Sequence, residues 1–118
     1  MLKKIILRQH IIRDALNVID KLDPLVKNIV VVALLILENT GDLPSSTEYV
    51  ISLYQILTGE TLPATVKEEL YRYLYRLHIL DLRYGSYYFS SDAPYILKAL
   101  RDKVPKIIIE FKSEQEKK

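Results

Sequence analysis

The sequence predicts a mainly α-helical, α+β chain with one small β-hairpin, folded as a single domain over residues 1–118. Three observations predict it. Apolar residues recur at helical spacing, as in Ile5, Ile12, Ala15, Leu16, Ile19 and Leu22. Asp-Pro, Ser/Thr-x-x-Glu and Gly signals punctuate these stretches where helices start and stop. Late in the chain, YRLHILDLRYGSYYFSSD (residues 75–92) switches to period-two alternation around Gly85-Ser86.

Each element follows in order. Residues 3–22 form the first helix, and Ile11 and Val18 widen its apolar stripe, so it must touch more than one neighbour. Asp23-Pro24 ends it and starts the second helix, with Asp23 as N-cap. Residues 24–38 are apolar almost all round, and a buried strand competes with helix there. Length, the Asp-Pro start and the Asn39-Thr40-Gly41 stop favour a helix in the middle of the core. After the extended Asp42-Leu43-Pro44, Ser45 and Glu48 have capping-box spacing for a helix over about 46–57, closed by Gly59. Its inward residues are Val50, Leu53, Tyr54 and Leu57.

The next helix spans 63–79, with Pro63 in its first turn and Thr65 and Glu68 as a second possible cap. Val66, Leu70, Tyr73, Leu74 and Leu77 share its inner face, opposite Ala64, Glu68, Tyr71, Arg72 and Tyr75. The hairpin, 80–90, is expected to turn through Gly85-Ser86 as type II′, pairing Tyr84 with Tyr87 and Arg83 with Tyr88. That register sends Leu82, Tyr84, Tyr87 and Phe89 inward, and Asp81, Arg83 and Tyr88 outward. Asp92 opens a last helix with Ile96, Leu97, Leu100 and Val104 as apolar positions. KIIIEF, 106–111, suits helix or strand, and the remaining tail is solvated.

Composition narrows function. A net charge of +2 over 118 residues gives no strong polyelectrolyte field, so any nucleic-acid surface must come from charge arrangement. With no cysteine there are no disulfides and no thiolate chemistry. That usage, with many Ile, Tyr, Lys and Glu, is common in heat-adapted proteins. The longest apolar run, Ile29–Leu37, is far too short to span a bilayer, and no signal peptide is expected, so the expectation is a cytoplasmic protein without a membrane partner. His10 and His78 are far apart in sequence and make no metal set. Gly41, Gly59 and Gly85 are all assigned to helix ends or the hairpin, leaving none for a phosphate cradle. Neither an enzyme nor a cofactor is expected.

The order from residue 24 to 90 (helix, extended piece, helix, turn, helix, hairpin) resembles a winged helix-turn-helix domain. The most specific part is VKEELYRYLYRLHILDLRYGSYYFS, residues 66–90, where Ile79-Leu80 leads a helix directly into a ribbon. On this resemblance, 24–90 is a winged-helix core, 1–23 an added N-terminal helix and 91–118 a C-terminal helix and tail. The size and composition also resemble small regulators of archaea and archaeal viruses.

The resemblance implies sequence-specific binding of double-stranded DNA by a transcription regulator. Helix 63–79 would enter the major groove and the hairpin would serve as the wing. It carries base-edge roles to Thr65, Glu68, Tyr71, Arg72 and Tyr75, with Arg72 suited to guanine and Glu68 to cytosine. Lys67 and Arg76 become phosphate contacts, and Arg83, Ser86 and Tyr88 the wing's contribution. The bland alternative has Tyr73 in the core, the other tyrosines covering the surface, and the arginines paired with Glu68 and Glu69. Winged helices also serve as protein–protein modules in larger DNA- or RNA-processing complexes, which is the competing function. The seven-residue spacing of Ile5, Ile12 and Ile19 fits core packing first and a homodimer seam through residues 1–22 second. The apolar KIIIEF is the other candidate, so a homodimer is expected through 1–22, through 93–111, or both.

Overall fold

Asp23 and Pro24 start a helix for separable reasons. The Asp23 carboxylate accepts a hydrogen bond from Leu25 N at 3.0 Å. Pro24 takes the first helical position, where its missing N–H costs nothing. The helix ends at Gly41 (φ +79°), whose N–H donates to Leu37 O at 2.8 Å. Between these caps every residue from Ile29 to Leu34 is buried. The stretch that could have been strand is thus a helix surrounded by other helices.

The structure is a computed structural model that describes residues 2–21 and 23–103. The expectations for Leu22, Val104, 106–111 and the tail fall outside the described residues. The elements are α1 (Leu2–Ile19), α2 (Pro24–Thr40), α3 (Thr47–Thr58), α4 (Ala64–Arg76), β1 (Leu80–Arg83), β2 (Ser86–Phe89) and α5 (Ala93–Leu100), then a 3-10 turn at Arg101–Lys103. This is a mainly helical α+β fold with a two-stranded antiparallel hairpin between α4 and α5, an arrangement consistent with a winged helix.

The α2 helix is the hub, packed by α3, α4 and α5. On α5, Ala93, Ile96, Leu97 and Leu100 are wholly buried. The α1 helix lies against α5, burying Ala15 and Ile19, while Ile6 and Leu7 stay exposed. Arg8 ties the two together: its Nε donates to Asp92 Oδ1 at 3.1 Å, and its guanidinium sits 3.9 Å from the Tyr95 ring centre. Asp92 stands at the N-cap of α5 as expected, yet its carboxylate serves Arg8 and caps no backbone N–H.

Two caps differ from expectation. Ser46, not Ser45, caps α3, its hydroxyl accepting from Tyr49 N at 3.1 Å, so Glu48 belongs to the first turn and not to a capping box. At α4, Pro63 is the N-cap and Thr65 is already helical, so no side chain caps this helix. The α4 helix also stops at Arg76, short of residue 79. His78 adopts a left-handed conformation (φ +63°), its N–H donating to Tyr75 O and that of Ile79 to Leu74 O, both at 3.0 Å. These paired bonds are a Schellman stop, closed by apolar burial of Ile79 and Leu74.

The hairpin register is the main correction. The turn is Tyr84-Gly85, with φ +51° and +78°, the positive pair that a type I′ turn requires. Pairing is Leu80↔Phe89, Asp81↔Tyr88, Leu82↔Tyr87 and Arg83↔Ser86. The partner of Leu82 therefore moves by two residues, from Phe89 to Tyr87. A two-residue slip keeps every strand side chain on its face, so Tyr87 and Phe89 stay inward, but two residues expected on the core side are exposed: Tyr84, fully, at the tip, and Leu82 beside it. Leu82 is only half-covered, at 49% exposure.

The register is decided at the base of the ribbon, not at the tip. Ser90 N donates to Ile79 O at 2.9 Å, and Ser90 Oγ donates to His78 O at 2.7 Å. Ala93 N donates to Ser90 O at 3.1 Å, coupling the ribbon to α5. A two-residue slip would shift β2 by about 6.6 Å and pull α5 out of the core. Each fully buried aliphatic side chain is worth roughly 1.5–3 kcal/mol. The left-handed Tyr84 costs only about 1–2 kcal/mol, so burial wins.

Two substitutions test this balance by chemical denaturation. Tyr84→Asn, which suits the turn, raises stability by about 0.5–1 kcal/mol. Ser90→Ala, which removes the partner of the partly buried His78 carbonyl, lowers it by about 1 kcal/mol. A destabilising Tyr84→Asn or a neutral Ser90→Ala would show that the register is held elsewhere.

Candidate nucleic-acid interface

Helical periodicity divides the polar residues of α4 into a ridge and two flanks. Thr65, Glu68, Arg72 and Arg76 are exposed along the ridge opposite buried Leu70 and Leu74. Glu69 and half-buried Tyr73 take the flank towards the start of α2, where Tyr73, Glu69, Asp23 and Leu25 line one small cleft. The Arg76 guanidinium leans over the Tyr73 ring at 5.6 Å. Lys67, Tyr71 and Tyr75 take the other flank, towards α3 and the hairpin. Among the described residues Arg72 makes no ion pair, so the alternative in which it pairs with Glu68 or Glu69 is not formed.

Tyr87, on β2, joins ribbon to helix. Its ring centre lies 5.6 Å from that of Tyr71, at a tilt of 42°, and 6.3 Å from that of Tyr75, edge to face. Such aromatic pairs are worth roughly 0.5–1.5 kcal/mol beyond the area they bury. Tyr71 is half-buried in this contact and Tyr75 remains half-exposed. The two candidate base-contact tyrosines thus hold the ribbon beside the ridge, and Tyr71 has the less surface left for a ligand. Sequence reasoning placed Tyr87 inward but missed this role. The signal was the i, i+4 spacing of Tyr71 and Tyr75 facing an inward strand tyrosine.

On the outer side of the ribbon stand Asp81, Arg83, Ser86 and Tyr88, with Tyr84 at the tip. Arg83 Nη2 lies 3.6 Å from Asp81 Oδ2, an ion pair between alternate residues of one strand. Two open grooves flank the hairpin and α4. One, of about 370 Å³, runs between α3 and α4 and is lined by Glu48, Ser52, Lys67, Glu68 and Tyr71. The other, of about 490 Å³, separates β2 from residues 43–48 and includes Tyr88 in its wall.

Charge is nearly balanced in the segment that carries α3, α4 and the ribbon. Residues 47–90 hold four cations (Lys67, Arg72, Arg76, Arg83) and five carboxylates (Glu48, Glu60, Glu68, Glu69, Asp81), a net charge of −1 with histidine neutral. The chain's overall +2 therefore comes from the flanking segments. A surface of this kind attracts a polyanion weakly at long range and can act only through individually directed groups.

No group of His, Cys, Asp and Glu suited to a metal ion occurs among the described residues. None of their helices is long and apolar enough to cross a membrane. No family model, curated protein or solved structure matches the chain.

The tyrosine joint yields a stability prediction. Tyr87→Ala lowers the unfolding free energy by about 2 kcal/mol, since a half-buried aromatic loses roughly half the cost of a fully buried one. Tyr87→Phe leaves it within about 0.5 kcal/mol, because the contact is made by the ring. Equal losses from both substitutions, read by thermal or denaturant unfolding, would contradict a ring-based joint.

Proposed function

We propose that this chain binds double-stranded DNA sequence-specifically as a cytoplasmic, homodimeric transcription regulator. The α4 helix enters the major groove and the hairpin acts as a wing of the winged helix-turn-helix type. One observation carries the reading: the exposed α4 ridge of Thr65, Glu68, Arg72 and Arg76 lies beside a projecting ribbon that ends in exposed Arg83 and Tyr84. A helix diameter fits the major groove, and an adjacent ribbon reaches the neighbouring backbone or minor groove.

In this reading Arg72, free of any ion pair among the described residues, takes a guanine edge, and Glu68 accepts from cytosine. Lys67, Arg76 and Arg83 meet phosphates, with Ser86 and Tyr88 beside Arg83 on the wing. Balanced charge makes non-specific binding weak, so directed contacts carry most of the affinity. Dimerisation gives a near-palindromic site with two ridges about one DNA turn apart. Ile19 and Ile12 of the expected seam pack into the chain's own core, so among the described side chains it is exposed Ile6 and Leu7 that α1 offers a partner subunit.

A second reading, a protein-interaction module in a DNA- or RNA-processing complex, draws on a separate observation. The ribbon exposes Leu82, Tyr84 and Tyr88, and the segment that carries it, residues 47–90, has a net charge of −1. Aromatic and aliphatic exposure of this sort is favoured at protein interfaces.

Salt titration of binding to mixed duplex DNA separates the two. The DNA reading predicts that the logarithm of affinity falls with the logarithm of salt by a slope of roughly 3 per protomer, from the three phosphate-reaching cations Lys67, Arg76 and Arg83. Absence of binding at low salt would favour the protein-interaction reading. Arg83→Ala weakens all duplexes alike, whereas Arg72→Ala relaxes preference at one base position at a cost of about 1–3 kcal/mol. Unchanged affinity in both variants would place the DNA surface elsewhere.

A further inference from the structure

Two groups on the outer side of the ribbon form a pair with a functional consequence. Asp81 and Arg83 are alternate residues of β1 and share the outward side of the ribbon, opposite Tyr88 and Ser86 respectively. The Asp81 carboxylate lies 3.6 Å from the Arg83 guanidinium, with the two side chains 45% and 64% exposed. Both ends of the pair are therefore reachable from solvent, and the pair is weak enough to exchange partners.

A carboxylate offers a guanidinium the same kind of acceptor as a backbone phosphate: anionic oxygens able to take charge-assisted N–H bonds. Resting on the wing proposed above, we infer that Asp81 is a built-in phosphate surrogate. It holds Arg83 while no DNA is bound and must yield it before the wing can engage the duplex. The partner is the phosphodiester backbone, not a base edge, so the effect is the same for every duplex sequence. Asp81 thus lowers the wing's affinity in two ways, by competing for the guanidinium and by placing a negative charge beside the arriving phosphate.

The two contributions separate in a four-protein cycle on a fixed mixed duplex: the unaltered chain, Asp81→Asn, Arg83→Ala, and both together. Asparagine keeps the shape of the side chain on an exposed strand, and unfolding curves confirm that all four are folded. Asp81→Asn tightens binding roughly three- to fivefold, and the gain repeats on a second, unrelated duplex. On the Arg83→Ala background the gain shrinks to less than about half of that, because no guanidinium remains to be released.

An equal gain on both backgrounds would overturn the inference, making Asp81 a simple repelling charge. So would the absence of any gain in a chain that binds DNA. Failure of all four proteins to bind at low salt would remove the DNA reading itself, and this inference with it.

Discussion

The junction between α4 and the ribbon is the constraint on which the rest of the functional surface depends. Within residues 74–90 the chain must end a helix, reverse direction and start a strand without leaving buried polar groups unpaired. It does so with the left-handed His78, the bond from Ile79 N to Leu74 O, and Ser90, which satisfies both Ile79 O and His78 O. Ser90 is the one buried polar residue among those described. A hydroxyl is small enough to sit in that apolar setting and long enough to reach the carbonyl.

Rigidity at the junction has consequences at both ends. Towards the tip, the base bonds force the turn onto Tyr84-Gly85 and place Arg83 opposite Ser86. Towards the core, the bond from Ala93 N to Ser90 O sets where α5 begins, and α5 is the surface against which α1 packs. The Tyr71–Tyr87–Tyr75 contact then keeps the ribbon from swinging away from the helix. Ridge and ribbon form one platform because three independent attachments, made of hydrogen bonds, apolar burial and aromatic packing, agree on a single angle. Such agreement is what gives a small domain one well-defined surface.

Much of this was legible in the residues. Asp23-Pro24 and Gly41 mark the limits of α2 because capping is local chemistry, and the inner face of α4 follows from helical periodicity at Leu70, Leu74 and Leu77. Local chemistry was ambiguous where neighbours could do the same job. Ser45 and Ser46 both suit a cap, and only the backbone path selects Ser46. Gly85 supports a two-residue turn in either of two positions, and the choice is made by Ser90 and α5, well away from the turn. Contacts between distant segments left no mark in the sequence at all. Arg8 and Asp92 are 84 residues apart, and nothing in either stretch announces their bond. For the candidate site, the exposure of Thr65, Glu68, Arg72, Arg76 and Arg83 was predictable from period alone. The use of Tyr71 and Tyr75 as a mount for Tyr87 was not, since it depends on where the ribbon docks.

The central claim is that ridge and ribbon form one face and that this face meets DNA. Backbone amide chemical-shift mapping during titration with a short mixed duplex tests it most directly. The account predicts changes concentrated along one side of α4, at Thr65, Glu68, Arg72 and Arg76, and over Asp81–Tyr88 in the same titration, with α2 largely unmoved. Changes confined to α1 and α5, or to the ribbon without the ridge, would contradict it.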